Sequence, residues 1–304
     1  MSRKQHVCVC ICTYQRSALL KRLLSELEKQ ETEGLFEFSM VVLDNDKSES
    51  GRAIVESFAR QSSISVRYDV EPEQNIALAR NKALANSQGD FVAFIDDDEI
   101  PQERWLLRLY KALNDYNCDG ILAPVLPLFE QEPPRWVLKG DYFNRPSHPT
   151  GHVLEWTNTR TGNALLKREL FRENRKWFDP AFGSGGEDRD FFRRMIEEGH
   201  VFIWCNEAVV YETVPPNRWK RTILLKRALL RGKMTLNITG SRPLSILKSA
   251  IAIVVYATSL PLLAIVGHHI FMKYLIKTCD HLGKVLAFVG IDLVKEKYVG
   301  GQCR

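Results

Sequence analysis

Phe91-Val92-Ala93-Phe94-Ile95-Asp96-Asp97-Asp98-Glu99 is the stretch whose reading decides the fold. Its first five residues form a short apolar run rich in aromatic and β-branched side chains, the pattern of a buried strand. Four carboxylates follow without a break. Like charges packed at a strand end repel one another and resist desolvation. A cation seated there relieves the cost, and hard divalent ions take carboxylate oxygens and are often shared with substrate phosphates. In open α/β sheets the strand ends face the ligand crevice. The stretch therefore predicts a metal–phosphate site. Taken alone, a solvated acidic turn explains it as well.

Working outward, strands and helices alternate through the first third. Residues 7–12, 38–43, 64–69 and 91–95 read as strands. Residues 17–30, 51–60 and 75–87 read as helices. The first helix carries Leu19, Leu20, Leu23, Leu24 and Leu27 on one face, with Ser17 as its N-cap. This alternation predicts a mostly parallel sheet flanked by helices, Rossmann-like in layout. Residues 124–150 hold six prolines with Trp136 and Tyr142 and read as a long loop or lid. Short strands near 153–156 and 162–167, a helix over 187–198 and two strands near 201–205 and 208–212 complete a domain that Pro215-Pro216 ends.

A chain of 304 residues holds one large or two ordinary domains. Its formal charge of +5 hides a split. Residues 1–217 carry 27 Lys and Arg against 34 Asp and Glu, a balance of −7. Residues 218–304 carry 15 against 3, a balance of +12. Two domains follow, an acidic one over 1–215 and a basic one over 216–304. Seven cysteines without a spaced framework fit reduced thiols and a cytosolic compartment. Cys8, Cys10 and Cys12 share one strand face and read as small apolar groups.

The second strand ends in Asp44-Asn45-Asp46. A calcium loop fails there, because Glu49 stands where glycine is required and Val55 where the bidentate Glu belongs. The first strand leads into Thr13-Tyr14-Gln15-Arg16 rather than a Rossmann glycine fingerprint, and no P-loop occurs. A nucleotide pocket in this chain relies on polar side chains. In the helix over 187–198, Asp188 falls in register with Phe191, Phe192 and Met195, which aims it inward from a glycine-rich turn. A helix N-terminus favours that negative charge. Glu187 aligns with Asp190 and Arg194 on a more solvated stripe. The bland alternative is a helix-end acid of local value only.

Thr13-Tyr14-Gln15-Arg16, Asp44-Asn45-Asp46, Asn75 with Ala79-Arg80-Asn81, Asp96-Asp97-Asp98, Gly162-Asn163 and Gly185-Gly186-Glu187-Asp188 occur in one order over about residues 5–215. In that order they resemble the family 2 glycosyltransferases. The resemblance implies a GT-A fold and an inverting transferase that uses a nucleotide-activated sugar, commonly a UDP-sugar, with Mg²⁺ or Mn²⁺. It places Thr13 and Arg16 beside the nucleotide, Asp44 on the base, Arg80 near the diphosphate and Asp96 by the ribose. Asp97 joins the donor site, and Asp98 becomes the metal ligand. Asn163 and Glu187 fall in the acceptor or donor-sugar pocket, and Asp188 is the catalytic base. Many relatives place a His metal contact shortly after the last core strand. Tyr211-Glu212-Thr213 stands there instead, with Glu212 as the substitute oxygen ligand. A sugar-phosphate nucleotidyltransferase is the alternative enzyme, but it needs a glycine-rich phosphate loop near the first strand. A catalytically inactive nucleotide-binding partner module is the alternative outside enzymes.

The basic rear mixes Arg and Lys with long aliphatic side chains over 218–233. Residues 244–266 are then almost uninterruptedly apolar. As a helix they reach about 34 Å, against about 30 Å for a bilayer core. Further on, Phe271, Tyr274, Leu275, Leu282, Val285, Leu286 and Val289 form one stripe opposite Lys273, Lys277, Asp280 and Lys284. Basic residues flank the apolar run on both sides, which favours a peripheral or re-entrant arrangement over a single span. The expected partners are an anionic membrane surface on the cytoplasmic face and a lipid-linked glycan acceptor, with no nucleic acid. The bland alternative is a subdomain packed on the core or on a second copy, as in a homodimer.

Overall fold

The computed structural model describes residues 3–171, 177–183, 185–240 and 243–294. It divides the chain into two compact units, 1–128 with 145–213 and 129–144 with 214–304. The first unit begins with β1 (Gln5–Thr13), α1 (Ser17–Glu28), β2 (Phe36–Asp44), α2 (Arg52–Ala59), β3 (Val66–Val70), α3 (Ile76–Asn86) and β4 (Phe91–Asp96). β5 (Glu99–Pro101), α4 (Trp105–Tyr116), β6 (Gly120–Leu122) and β7 (Val125–Phe129) follow. After α5 (Arg135–Gly140) in the second unit come β8 (Ala164–Lys167), α6 (Glu187–Glu197), β9 (Phe202–Trp204) and β10 (Val210–Val214).

Seven strands form the main sheet in the order β3-β2-β1-β4-β8-β6-β9. All its pairings are parallel except those of β8 with β4 and β6. The fold is thus mixed α/β with a mostly parallel central sheet, as the strand–helix alternation predicts. The alternation of β1 explains why both faces are covered. Val7, Val9 and Ile11 pack with the leucines of α1 and with Trp105 of α4. Cys8 and Cys10 point the other way, into a cluster with Ala79 and Ala83 of α3 and Phe191 and Phe192 of α6. No disulfide joins the described cysteines. Chain order reverses between β1 and β4, so a crevice opens at their C-terminal ends, where Thr13 and Asp96 stand. A second sheet, β5-β10-β7, continues directly from the acidic turn.

Local outcomes differ from expectation at three places. Ser17 is the first helical residue rather than the cap, and its hydroxyl donates to the Ser50 carbonyl at 2.7 Å. Arg16 holds the cap position, but its side chain is drawn to the acidic turn instead. Residues 124–150 are not one loop, since they contain β7 and α5. Near 153–156 there is an isolated bridge from Val153 to Ile203 in place of a strand.

The second unit holds α7 (Arg221–Thr239), α8 (Pro243–Val266) and α9 (His268–Phe288). α9 packs on both α7 and α8. Against α7 the approach is close enough to require glycine. A Cβ on Gly283 would lie 2.1 Å from the Leu229 carbonyl oxygen, and one on Gly232 would lie 2.0 Å from that of Asp280. Backbone cannot swing aside. Alanine gains about 1 kcal/mol of helix propensity over glycine, but overpacking typically costs about 1–3 kcal/mol. Gly283→Ala should therefore destabilise this unit. Calorimetry and limited proteolysis check the sign; an unchanged or raised transition would mean that the helices part freely.

Candidate active site

The strand ends at the β1–β4 crevice bring the acidic turn against two arginines. Thr13 donates its hydroxyl to Asp97 Oδ2 at 2.7 Å. Arg16 Nη1 donates to Asp97 Oδ1 at 2.8 Å and to Asp98 Oδ2 at 3.2 Å. Burial opposes the Arg16 charge, yet Asp97 and Asp98 outweigh it and hold the guanidinium firmly protonated. Asp97 is 3% exposed, and burial raises its pKa against the pull of Arg16 and Thr13. Asp97 is thus the strut of the turn.

Asp98 is the more available carboxylate. Burial pushes its pKa up to about 7, opposed by Arg16 and reinforced by Glu212, Asp97 and Asp96. Glu212 arrives through pairing register, because β10 runs antiparallel to β5 with Glu212 opposite Glu99. Its Oε2 accepts from Arg145 Nη2 at 2.6 Å. Glu99 is fully enclosed, accepts the Asp96 amide at 2.9 Å, and is held well above the usual carboxylate range by burial and Asp96. Asp96 is half-exposed and faces Arg80 Nη2 at 3.3 Å.

Among the described residues no three His, Cys, Asp or Glu side chains converge into a metal cage. The donor chemistry nevertheless suits a hard divalent ion. Asp98 is a part-buried carboxyl whose charge is resisted by three further carboxylates, so an added cation relieves it. Mg²⁺ in particular is commonly held by one or two carboxylates with phosphate and water supplying the rest.

The start of α6 reverses one sequence expectation. Glu187 and Asp190 are buried, whereas Asp188 is half-exposed. The apolar stripe orders the helix from Phe191 onward, but partners from elsewhere decide its first turn. Arg80 of α3, itself 7% exposed, forms an ion pair with Glu187 Oε1 and lies over the Phe178 ring. Arg194 and Arg193 hold Asp190 at 2.9 and 3.3 Å. Asp188 stays half-exposed, and its Oδ1 accepts the Arg189 amide at 2.7 Å. Ser184, in the turn before this helix, lies outside the described residues.

Arg80 is enclosed by Glu187, Asp96 and Phe178. Asp44 is fully buried, and burial raises its pKa. Its Oδ2 accepts the Gly51 amide at 2.6 Å and the Tyr68 hydroxyl at 2.9 Å, and its Oδ1 accepts the Asp46 amide at 3.0 Å. It therefore ties down the β2–α2 loop. Asn163, expected at the sugar pocket, pins the strand ends of the core. It is fully buried, accepts from Trp105 Nε1 at 2.7 Å, and donates to the carbonyls of Pro124 and Ala208 at 2.7 and 2.8 Å. Its φ of +64° suits Asn, which tolerates the left-handed region.

Sequence reasoning missed the arginines 145, 160 and 189. None sits in a recognisable local pattern. Burial and Arg145 push Arg160 down to about 10, with Asp188 and Glu212 opposing and Arg189 adding.

A mostly parallel sheet with an acidic turn at its switch point and a half-exposed carboxylate at a facing helix start defines a transferase of the GT-A fold. The family model for Glycosyl transferase family 2 matches residues 8–175, and the chain belongs to that family. It is 36% identical over 232 residues to the succinoglycan biosynthesis protein ExoM of Rhizobium meliloti (strain 1021), covering 75% of this chain and 73% of that protein. It is 24% identical over 249 residues to the chondroitin synthase of Escherichia coli, covering 70% of this chain and only 35% of that protein. Among solved structures, Staphylococcus aureus TarS 1–349 in complex with UDP-GlcNAc superposes with a TM-score of 0.54 at 15% identity, covering 95% of each chain. The mannosyltransferase PcManGT of Pyrobaculum calidifontis, in complex with GDP-Man and Mn²⁺, superposes with a TM-score of 0.58 at 17% identity, covering 96% of this chain and 77% of that one. These two likenesses bear on the fold. The chain is a glycosyltransferase.

Proposed function

We propose that the protein transfers a sugar, with inversion, from a UDP-sugar to a hydroxyl of a lipid-linked saccharide at the cytoplasmic face of a membrane. What supports the catalytic half is Arg80, whose guanidinium pairs with Glu187 at the α6 start and with Asp96 of the acidic turn, and so holds the neighbour of Asp188 beside that turn. TarS and PcManGT, named in complex with UDP-GlcNAc and with GDP-Man and Mn²⁺, support a nucleotide-sugar donor. The nucleotide lies over β1 and β2, between Thr13, Arg16 and the loop that Asp44 ties down, with Asp96 and Asp97 on its ribose side. Asp98, with Glu212 beside it, would hold Mg²⁺ or Mn²⁺, which would supply positive charge for the departing diphosphate. Asp188 takes the proton of the acceptor hydroxyl as that oxygen attacks the anomeric carbon. The sugar carbon then acquires oxocarbenium character, as in other glycosyl chemistry. Glu187, fixed by Arg80, keeps the first turn of α6 in place and presents its second oxygen to the sugar.

Screening UDP-sugars for release of UDP in the presence of Mn²⁺ tests the donor class. Heat protection by UDP with metal is expected; protection by a sugar phosphate alone would favour a nucleotidyltransferase.

The membrane half rests on the second unit. α8 is long and apolar enough to cross a bilayer by length and composition. Two of its serines face α9: Ser245 accepts from Lys284 Nζ at 2.6 Å, and Ser249 meets His281 at 3.2 Å, whereas Lys248 and Thr258 are exposed. Leu244, Leu247, Val254, Val255, Leu262 and Ile265 are exposed. Such an apolar outer surface suits lipid. Tyr256 meets Tyr274, so α9 runs antiparallel beside α8 and would have to enter with it. α9 carries Lys273, Lys277, Asp280 and Lys284, and each charge at a bilayer centre costs about 2.5–3.5 kcal/mol on insertion scales. The helices therefore lie along the interface. Full-length protein should float with liposomes containing anionic lipid and resist high salt. A soluble, monodisperse protein that ignores liposomes would mean that another surface, such as a second copy, covers α8.

A further inference from the structure

We propose that Arg160, flanked by Arg145 and Arg189, receives an anionic group of the acceptor beside Asp188, so that the acceptor is a saccharide carrying a carboxylate or phosphate near its reacting hydroxyl. This deepens the transferase reading above and rests on Asp188 as the base.

Arg160 lies in a segment fastened at both ends to the site. On one side, α6 packs on the short turn Trp156–Asn158. On the other, Gly162 sits so close to the acidic turn that a Cβ there would lie 2.9 Å from Glu99 Oε1 and 3.1 Å from Asp96 Oδ2. The segment thus bridges the α6 start and the acidic turn, and sets Arg160 among Asp188, Arg189, Arg145 and Glu212. Arg145 enters from a separate loop, bonded to Glu212 at 2.6 Å. Three guanidiniums meet two carboxylates, an excess of one positive charge in a half-exposed place that a soluble anion can reach. Arg160 stays protonated at neutral pH, but burial and its like-charged neighbours leave its charge under-compensated. The acidic turn shows the opposite excess, which is where a cation belongs.

Two buried oxygens also await a partner. Thr161 Oγ1, next to Arg160, and Glu187 Oε2, next to Asp188, have no hydrogen-bond partner among the described residues. Both residues are at most 3% exposed. Buried polar groups are nearly always satisfied, and sugar hydroxyls suit both. A guanidinium grips a carboxylate or phosphate through two parallel bonds. The donor diphosphate is the other anion at hand. Position decides between them: Arg16 stands on the donor side, whereas Arg160 and Arg189 stand beside the base, which must reach the acceptor.

The test uses the full chain in detergent and three soluble probes, p-nitrophenyl β-glucoside, its 6-phosphate and the β-glucuronide, with binding followed by saturation-transfer NMR. One anionic probe should bind about tenfold tighter than the neutral one, or more, as expected for a charge-assisted bond. Arg160→Gln should erase that preference and Arg160→Lys should keep part of it, with UDP–Mn²⁺ affinity changed little in both. Arg189→Gln serves as a second variant if Arg160→Gln does not fold, and should shrink the preference. Equal binding of all three probes overturns the proposal, as does a preference that survives Arg160→Gln. A drop in UDP affinity in Arg160→Gln equal to the drop for the anionic probe also overturns it and assigns the cluster to the donor diphosphate. A wild-type protein that binds an anionic probe but no UDP would instead defeat the nucleotide-sugar reading alone.

Discussion

Asp188→Asn is expected to lower kcat by about 10²–10⁴-fold, the usual contribution of a positioned general base, while leaving the KM for the donor nearly unchanged. The carboxylate is half-exposed at the start of α6, within reach of an acceptor hydroxyl. One oxygen accepts the Arg189 amide, which orients the group without enclosing it. Asn keeps the shape and loses only the capacity to take a proton, so the loss belongs to the transition state. Glu187→Gln is the necessary contrast. Glu187 is buried against Arg80, and breaking a buried ion pair typically costs about 3–5 kcal/mol of stability. That variant should melt earlier, with Arg80 left to Asp96. If Glu187→Gln abolished turnover at unchanged stability and Asp188→Asn were nearly silent, the base would be Glu187.

Asp98→Asn is expected to remove the metal-dependent part of UDP binding while the fold survives. Arg16 keeps its 2.8 Å bond to Asp97, and the Asp98 backbone oxygen still accepts from Thr213, so the turn stays anchored. Only the carboxylate charge is lost. Isothermal titration with UDP, with and without Mn²⁺, reads the effect directly. Protons compete with metal for a carboxylate. With the Asp98 pKa pushed up to about 7 by burial, the metal-dependent increment in the wild type should shrink from pH 8 to pH 6 as Asp98 protonates. The increment should be absent at every pH in Asp98→Asn. A full Mn²⁺ increment in that variant would move the metal elsewhere.

The fold was legible because its information is local and repetitive. An apolar run capped by carboxylates reads as a buried strand at a crevice, and strand–helix spacing reads as a parallel sheet with both faces covered. The order of six short motifs resembled one family, and the family model bears it out. The site was legible as a set of candidates rather than as roles. The sequence marks Asp44, Asp97 and Asn163 as candidates, and only the fold shows that Gly51 and Tyr68, Thr13 and Arg16, and Trp105 bond them.

What the sequence determined by itself was the strand pattern, the acidic turn, the helix start at 187–188 and the charge split between front and rear. Tertiary structure decided which polar side chains meet. Periodicity ranks positions within one helix, but it is blind to a partner arriving from another. Arg80 lies on α3, 107 residues before Glu187, and its guanidinium buries the acid that the helical pattern left outside. Register between β5 and β10 set Glu212 opposite Glu99, and separate segments brought Arg145, Asp188 and Arg189 to Arg160. Charges interact through space with strength set by distance and burial, and only the folded chain supplies either quantity.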